Sequence, residues 1–147
     1  VVGVDVCNTG SDRGLMRPML ERLRRVTGHF PGRHLVDGGF SSAQDIEWAH
    51  GNGVEGYCPP TQSKHGTDPY LPRRGDGAGV LAWRARMAGE AGKAQYKPRS
   101  ICECIHARWR NWGLRQLTVR GIDKVRSVVL LYVLTNNILQ GHRLASA

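Results

Sequence analysis

The first six residues, VVGVDV, place Val2, Val4 and Val6 on one side and Val1, Gly3 and Asp5 on the other, which predicts a β-strand. After the turn CNTGSDRG, Leu15, Met19, Leu23 and Val26, flanked by Met16 and Leu20, recur at helical spacing. Pro18 has to sit in the first turn, so the helix is expected to begin near Leu15. Pro31-Gly32 interrupts the chain, and His34–Asp37 reads as a short buried strand ending in a carboxylate. Ser41 or Ser42 then caps a helix to about His50, with Ile46 and Ala49 facing inward and Gly51 and Gly53 closing it. Val54–Cys58 is a further strand, stopped by Pro59-Pro60. Strands alternating with helices at this spacing predict an α/β fold.

The pattern changes after residue 60. Residues 61–78, TQSKHGTDPYLPRRGDGA, are polar, basic and rich in Pro and Gly, which predicts a long loop. Helices are expected over Leu81–Ala94 and from about Pro98 to Trp112, while Leu117–Val119 is too brief to assign. Gly121 opens a last helix from Ile122 to about Leu139. Its centre, Val128–Leu134, is apolar on every face, so burial is expected.

Charge sharpens this picture. The 147 residues carry 21 Lys plus Arg against 12 Asp plus Glu, a net charge of +9. Residues 1–60 hold six basic and seven acidic side chains, whereas residues 61–147 hold fifteen basic and five acidic ones. An excess confined to one half points to a polyanion partner, nucleic acid, rather than to a generally solvated surface. The apolar run Val128–Leu134 is far too short to span a bilayer, so no membrane partner is expected. No charged-then-apolar leader is visible, and the chain opens on Val1 rather than methionine, which leaves room for residues upstream. Cys7, Cys58, Cys102 and Cys104 lack zinc-knuckle spacing and read as reduced cytosolic thiols.

Two acids stand out by context. Asp37 ends an apolar strand before two glycines, at the strand edge where open α/β sheets bind ligands; a turn-starting Asp gives the same tripeptide. Glu103 lies in YKPRSICECIHARWR, where Tyr96, Arg99, Glu103 and Arg110 are spaced by three, four and seven residues. At roughly 100° per residue these steps return to one helical face. An acid between arginines suits a metal-bound phosphate site, and it suits equally a surface ion-pair ladder of Glu103 with Arg99. Pro98 as first helical residue would take Tyr96 off the stripe and leave Arg99, Glu103 and Arg110 on it.

The pattern Tyr-x2-Arg-x3-Glu-x6-Arg resembles the signature around the last acidic residue of bacterial insertion-sequence transposases of the DDE type. Three further segments are similar, in the same order. SDRGLMRPML resembles the stretch after the family's third strand, and HLVDGGFSSAQDIEWAHGNGVEGYCPP the block with its second catalytic Asp. GLRQLTVRGIDKVRSVVLLYVLTNNILQG resembles the closing segment, which ends in an apolar helix with an Asn. The resemblance extends over essentially all 147 residues, as the C-terminal part of the catalytic domain, with 61–95 an insertion-like loop and helix.

The resemblance implies an RNase H-like α/β fold, a mixed sheet flanked by helices, incomplete at its N-terminal strands. It implies that Asp37 is the second and Glu103 the third of three carboxylates holding two divalent ions, Mg2+ or Mn2+, for phosphoryl transfer at insertion-sequence ends. Tyr96, Arg99 and Arg110 would grip DNA backbone, positioning the strand without reading bases. Trp83, Trp109 and Trp112 could stack on a splayed base, although core packing is the commoner fate of such residues. The implied partners are insertion-sequence ends and target DNA, the location the cytoplasm at the nucleoid, and a DNA-bound homodimer is consistent with the family. The family's first catalytic Asp belongs to a strand before the segment matching Val1–Val6, so Asp5 and Asp12 do not correspond to it. These residues alone are therefore expected to give little or no strand transfer, and Val1–Val6 to be an exposed sheet edge prone to pairing. The alternative is a non-catalytic DNA-binding remnant acting through the basic half. A small complete nuclease would require Asp5 to point at Asp37.

Overall fold

A computed structural model describes residues 1–62 and 66–146. Its contacts divide the chain into two compact units, Gly10–Ser100 and a second made of Val1–Thr9 with Ile101–Ala147. Ser63, Lys64 and His65 of the expected loop lie outside the described residues.

The first unit begins with α1, Met16–Thr27, entered through Leu15 and closed by Gly28. Pro18 occupies the first turn, where its missing N–H costs no hydrogen bond. Gly28 adopts φ +83°, and its N–H donates to the Arg24 carbonyl at 2.8 Å, a left-handed C-terminal cap that a β-carbon would disfavour. The buried stripe is Met16 and Leu20, with Leu23 partly covered, and Val26 is exposed. The inward face is thus turned from the expected Leu15–Met19–Leu23–Val26 line toward its flanking Met16 and Leu20, with Leu23 still against the core.

Strand β1, Arg33–Leu35, pairs in parallel with β2, Glu55–Tyr57, in the register His34 opposite Gly56. The pairing is extended at both ends by Glu55 N–H to Gly32 O (2.9 Å) and Val36 N–H to Tyr57 O (3.0 Å). Between them runs α2, Ala43–Gly51, with Ser42 at its N-cap position, as the spacing predicts. The Ser42 hydroxyl makes no capping bond there, while the Ser41 hydroxyl donates to the Gly38 carbonyl at 2.7 Å. Ile46 and Ala49 of α2 are buried as expected.

The expected helix over Leu81–Ala94 is two helices: α3, Ala78–Ala88, and α4, Glu90–Tyr96. Gly89, in extended conformation at φ −78° and ψ 151°, separates them. The N-terminus of α3 is capped from a distance. The Glu47 carboxylate of α2 accepts the Gly79 and Val80 N–H groups at 3.1 and 2.7 Å, satisfying two donors that have no helical partner. Val80, Trp83 and Met87 of α3 complete a core with Met16, Leu20, Ile46, Ala49, Val54, Tyr57 and Cys58. Trp83 is therefore a core residue whose indole N–H donates to the Cys58 carbonyl at 3.0 Å. Burial pushes the Cys58 thiol up to about 11, so it stays protonated and inert at neutral pH.

In the second unit, α5, Ile101–Asn111, and α6, Ile122–Ala145, carry the structure. Val1–Val6 is not a strand, and Leu117–Val119 is in no helix or strand. Alternation favours extended backbone, but a strand needs a neighbour, and the sheet of the described residues consists of β1 and β2. Asp5 of this segment lies 3.4 Å from the Arg126 guanidinium of α6. Tyr132 of α6 donates to the Trp112 carbonyl at 3.3 Å, and Arg108 of α5 donates to the buried Asn136 at 2.9 Å. Trp109 is buried, its ring 6.2 Å from that of Tyr132.

The expectation that the apolar centre of α6 is buried on every face does not hold. Leu130, Leu131, Leu134 and Ile138 are exposed, Leu131 by 63%. Length explains this: the 24 residues of α6 extend for about 36 Å, whereas the eleven of α5 extend for about 16 Å and cover one side of it. The helix is also six residues longer than its expected end at Leu139. Among the described residues no helix is long and apolar enough to cross a membrane.

Candidate functional site

Asp37 lies two residues past the end of β1 and stands at the N-cap of a 3₁₀ turn, Gly38–Phe40, at the C-terminal edge of the parallel pair. Parallel strands leave such an edge open because their connecting helix must start some residues later. The carboxylate makes no capping bond to the turn. Instead, the Arg99 guanidinium donates to Asp37 Oδ2. The Asp37 side chain is half exposed and that of Arg99 about a quarter. Gly38 is held close to Pro59: a β-carbon there would lie 3.0 Å from the Pro59 carbonyl. Gly38 thus lets the turn pass tightly against Pro59, two residues past the end of β2.

Arg99 does not lie on a helical stripe with Tyr96 and Glu103. Tyr96 ends α4, Arg99 lies in a 3₁₀ segment, Lys97–Ser100, and Glu103 is in the first turn of α5. The continuous helix expected from about Pro98 is replaced by this change of winding, which turns Arg99 toward Asp37. Tyr96 is half-buried and packs against the core of the first unit. Glu103 is exposed on α5, two turns before Arg110, so these two do share a helical face. Arg110 is exposed beside a shallow hollow lined with His106, Trp109 and Leu114. The structure therefore unites Asp37 with Arg99 in one unit, and Glu103 with Arg110 in the other.

The donor chemistry of Asp37 and Glu103 suits a hard divalent ion. Among the described residues, however, no three His, Cys, Asp or Glu side chains converge to hold one. The described residues thus do not assemble a metal centre, and Asp37 is balanced by a guanidinium.

A second polar constellation, in the segment expected to be loop, escaped the sequence reading. Arg84 of α3 reaches back to Asp76, Nε to Oδ2 at 2.7 Å, and donates to the Pro69 carbonyl. Both side chains of the ion pair are nearly buried. Asp76 also accepts the Arg73 N–H at 2.8 Å, and its own N–H donates to the Arg73 carbonyl at 3.0 Å. These bonds staple residues 69–76 onto α3. The signal was present in Asp76-Gly77 just before a helix with Arg84, but an eight-residue separation across a loop follows no helical or strand period.

Burial pushes the Asp76 carboxyl up, but the hydrogen bonds from Arg84 and the Arg73 amide, with their charges, outweigh it and hold the carboxyl below its ordinary value of 3.8. A carboxyl lowered in the folded state contributes stability above its unfolded value that is lost as pH falls through the folded value. Acid unfolding should therefore steepen below about pH 4. Asp76→Asn should be less stable at neutral pH and flatter over that acid range, as read from urea midpoints against pH. An unchanged acid limb in Asp76→Asn would show that the pair does not govern it.

The two acids have different external support. No curated protein and no solved structure matches the chain. Residues 79–142 match the family described as the transposase DDE domain, a segment that holds Tyr96, Arg99, Glu103 and Arg110 but not Asp37. That match, from within α3 to within α6, supports a DDE transposase and, with it, a function in DNA transposition.

Proposed function

We propose that this chain supplies the second and third carboxylates of a DDE transposase active site, Asp37 and Glu103, for phosphodiester hydrolysis and strand transfer at insertion-sequence ends. The observation that carries the reading is the family match over residues 79–142, which contains Glu103 within the Tyr96–Arg110 signature. Asp37 joins it by its position at the end of β1, beside an arginine of that same signature. The fold proposed for the complete site is RNase H-like, with β1 and β2 as part of its sheet. Mg2+ or Mn2+, held by the carboxylates, would supply activation of the attacking hydroxyl and stabilisation of the leaving oxygen. Tyr96, Arg99 and Arg110 are the proposed backbone contacts, and the site of action is the nucleoid, on a DNA-bound homodimer.

Alone, these 147 residues hold two of the three acids, so they bind DNA and transfer little or no strand. The second reading, a non-catalytic DNA-binding remnant, is favoured by the excess of fifteen basic over five acidic side chains in residues 61–147. Metal and salt separate the two. A catalytic protein cuts labelled insertion-sequence ends only with Mg2+ or Mn2+ and fails as Asp37→Ala or Glu103→Ala. A purely electrostatic binder loses affinity steeply with salt and is indifferent to both substitutions. Metal-independent binding without cutting by the full-length protein would overturn the catalytic reading.

A further inference from the structure

We infer that a hollow of about 460 Å³ in the first unit, walled by Arg13, Arg73 and Arg74, is a docking site for the phosphodiester backbone of DNA. The inference rests on the proposed DNA function for the choice of polyanion, and on the structure for the site itself. Arg13 precedes α1, whereas Arg73 and Arg74 belong to the stapled loop, so cationic walls come from two separate segments. Arg84 also lines the hollow, but its charge is spent on Asp76, the one acid among the lining residues. The side chains of Arg13, Arg73 and Arg74 make no hydrogen bond or ion pair among the described residues, and all three are exposed. Three exposed guanidinium groups thus face a space whose one acid is already bonded to Arg84, an arrangement that suits an anion.

The loop that presents two of them is held in advance. The Arg73 amide and carbonyl are both fixed by Asp76, and Asp76 by the nearly buried Arg84. Binding therefore costs little ordering of that segment. The hollow also reaches the residue that follows the 3₁₀ turn after Asp37. Ser41 lines it and donates to the carbonyl of Gly38, the residue next to Asp37, while Ser41 and Thr61 hydroxyls lie 3.2 Å apart on the same wall. A strand seated between the arginines would run past the turn that begins at Asp37. The guanidinium groups would position that strand and leave its sequence unread.

The test is fluorescence anisotropy of a fluorescein-labelled DNA duplex over a series of salt concentrations. The full-length wild-type protein is compared with Arg73→Ala/Arg74→Ala, with Arg13→Ala, and with the control Arg25→Ala, an exposed arginine in the last turn of α1. Loss of a phosphate contact lowers the slope of log affinity against log salt by about 0.9. The double variant is expected to lose roughly two units of slope and Arg13→Ala about one, with the control and thermal melting unchanged. An equal loss in the control would mean generic charge and overturn the site, as would an unchanged slope in the double variant. Weaker inorganic pyrophosphate binding with an unchanged DNA slope would make it a free-anion site and overturn the inference. No duplex binding by the wild type would do so too. The catalytic reading falls separately: slopes that change as expected in a protein that never cuts DNA keep this site and remove that reading.

Discussion

Gly92→Ala is expected to destabilise the first unit by about 2–3 kcal/mol, the range of an overpacked core site with little room to relax. Gly92 is the third residue of α4 and is buried. A β-carbon there would lie 1.9 Å from the Arg86 carbonyl oxygen and 2.7 Å from its carbon. Both are backbone atoms of α3, so no side chain can swing aside, and the two helices must separate. Against a typical total of about 5–15 kcal/mol, that is a large share. Gly89, three residues earlier, is the internal control. Its β-carbon would meet nothing closer than 3.7 Å, and its φ of −78° is open to any residue. Gly89→Ala should shift the urea midpoint little. Equal midpoints for the two variants would contradict the close approach of α3 and α4.

Asp37→Asn is expected to reduce strand cleavage by the full-length protein on the order of a thousandfold, about 4 kcal/mol of transition-state stabilisation. The amide keeps the shape of the carboxylate and removes its charge, so the loss is electrostatic rather than steric. The same change removes one anionic partner of the Arg99 guanidinium and adds no negative charge that would repel DNA. DNA affinity should therefore hold or rise slightly while cleavage collapses, a split that a misfolded variant would not show. Anisotropy and end-cleavage assays on one preparation read both quantities. Parallel loss of binding and cleavage would assign Asp37 a structural role instead.

Local signals in the sequence were legible where the element is set by its own residues. Pro18 sets the start of α1, and Ser42 and Gly53 bracket α2, because caps and breakers act within a turn. Leu35 and Tyr57 come to pair because α2 returns the chain alongside β1. Alternation in Val1–Val6 failed, since pairing depends on a partner that the pattern cannot supply. The Ala-rich run over 81–94 concealed the break at Gly89, which is decided by Gly92 fitting under Arg86. Apolar faces on α6 predicted burial, but the reach of α5 limits what is covered.

The candidate site divided in the same way. Asp37 could be placed at a strand edge from its flanking residues. Its pairing with Arg99 could not, because the two lie 62 residues apart and meet through a 3₁₀ segment where an α-helix was expected. Glu103 and Arg110 kept their shared face because both lie within α5. The Glu47 cap on α3 and the Arg84–Asp76 staple are likewise contacts between elements, which no periodicity announces.

The central claim is that Asp37 and Glu103 serve one catalytic site, and a double-mutant cycle on strand cleavage tests it most directly. Rates would be measured for wild type, Asp37→Asn, Glu103→Gln and the double variant, all as full-length protein with Mg2+. Groups that act as a unit are strongly non-additive, so the double variant should be about as slow as the worse single one. Multiplying effects, or wild-type cleavage in either single variant, would contradict the claim.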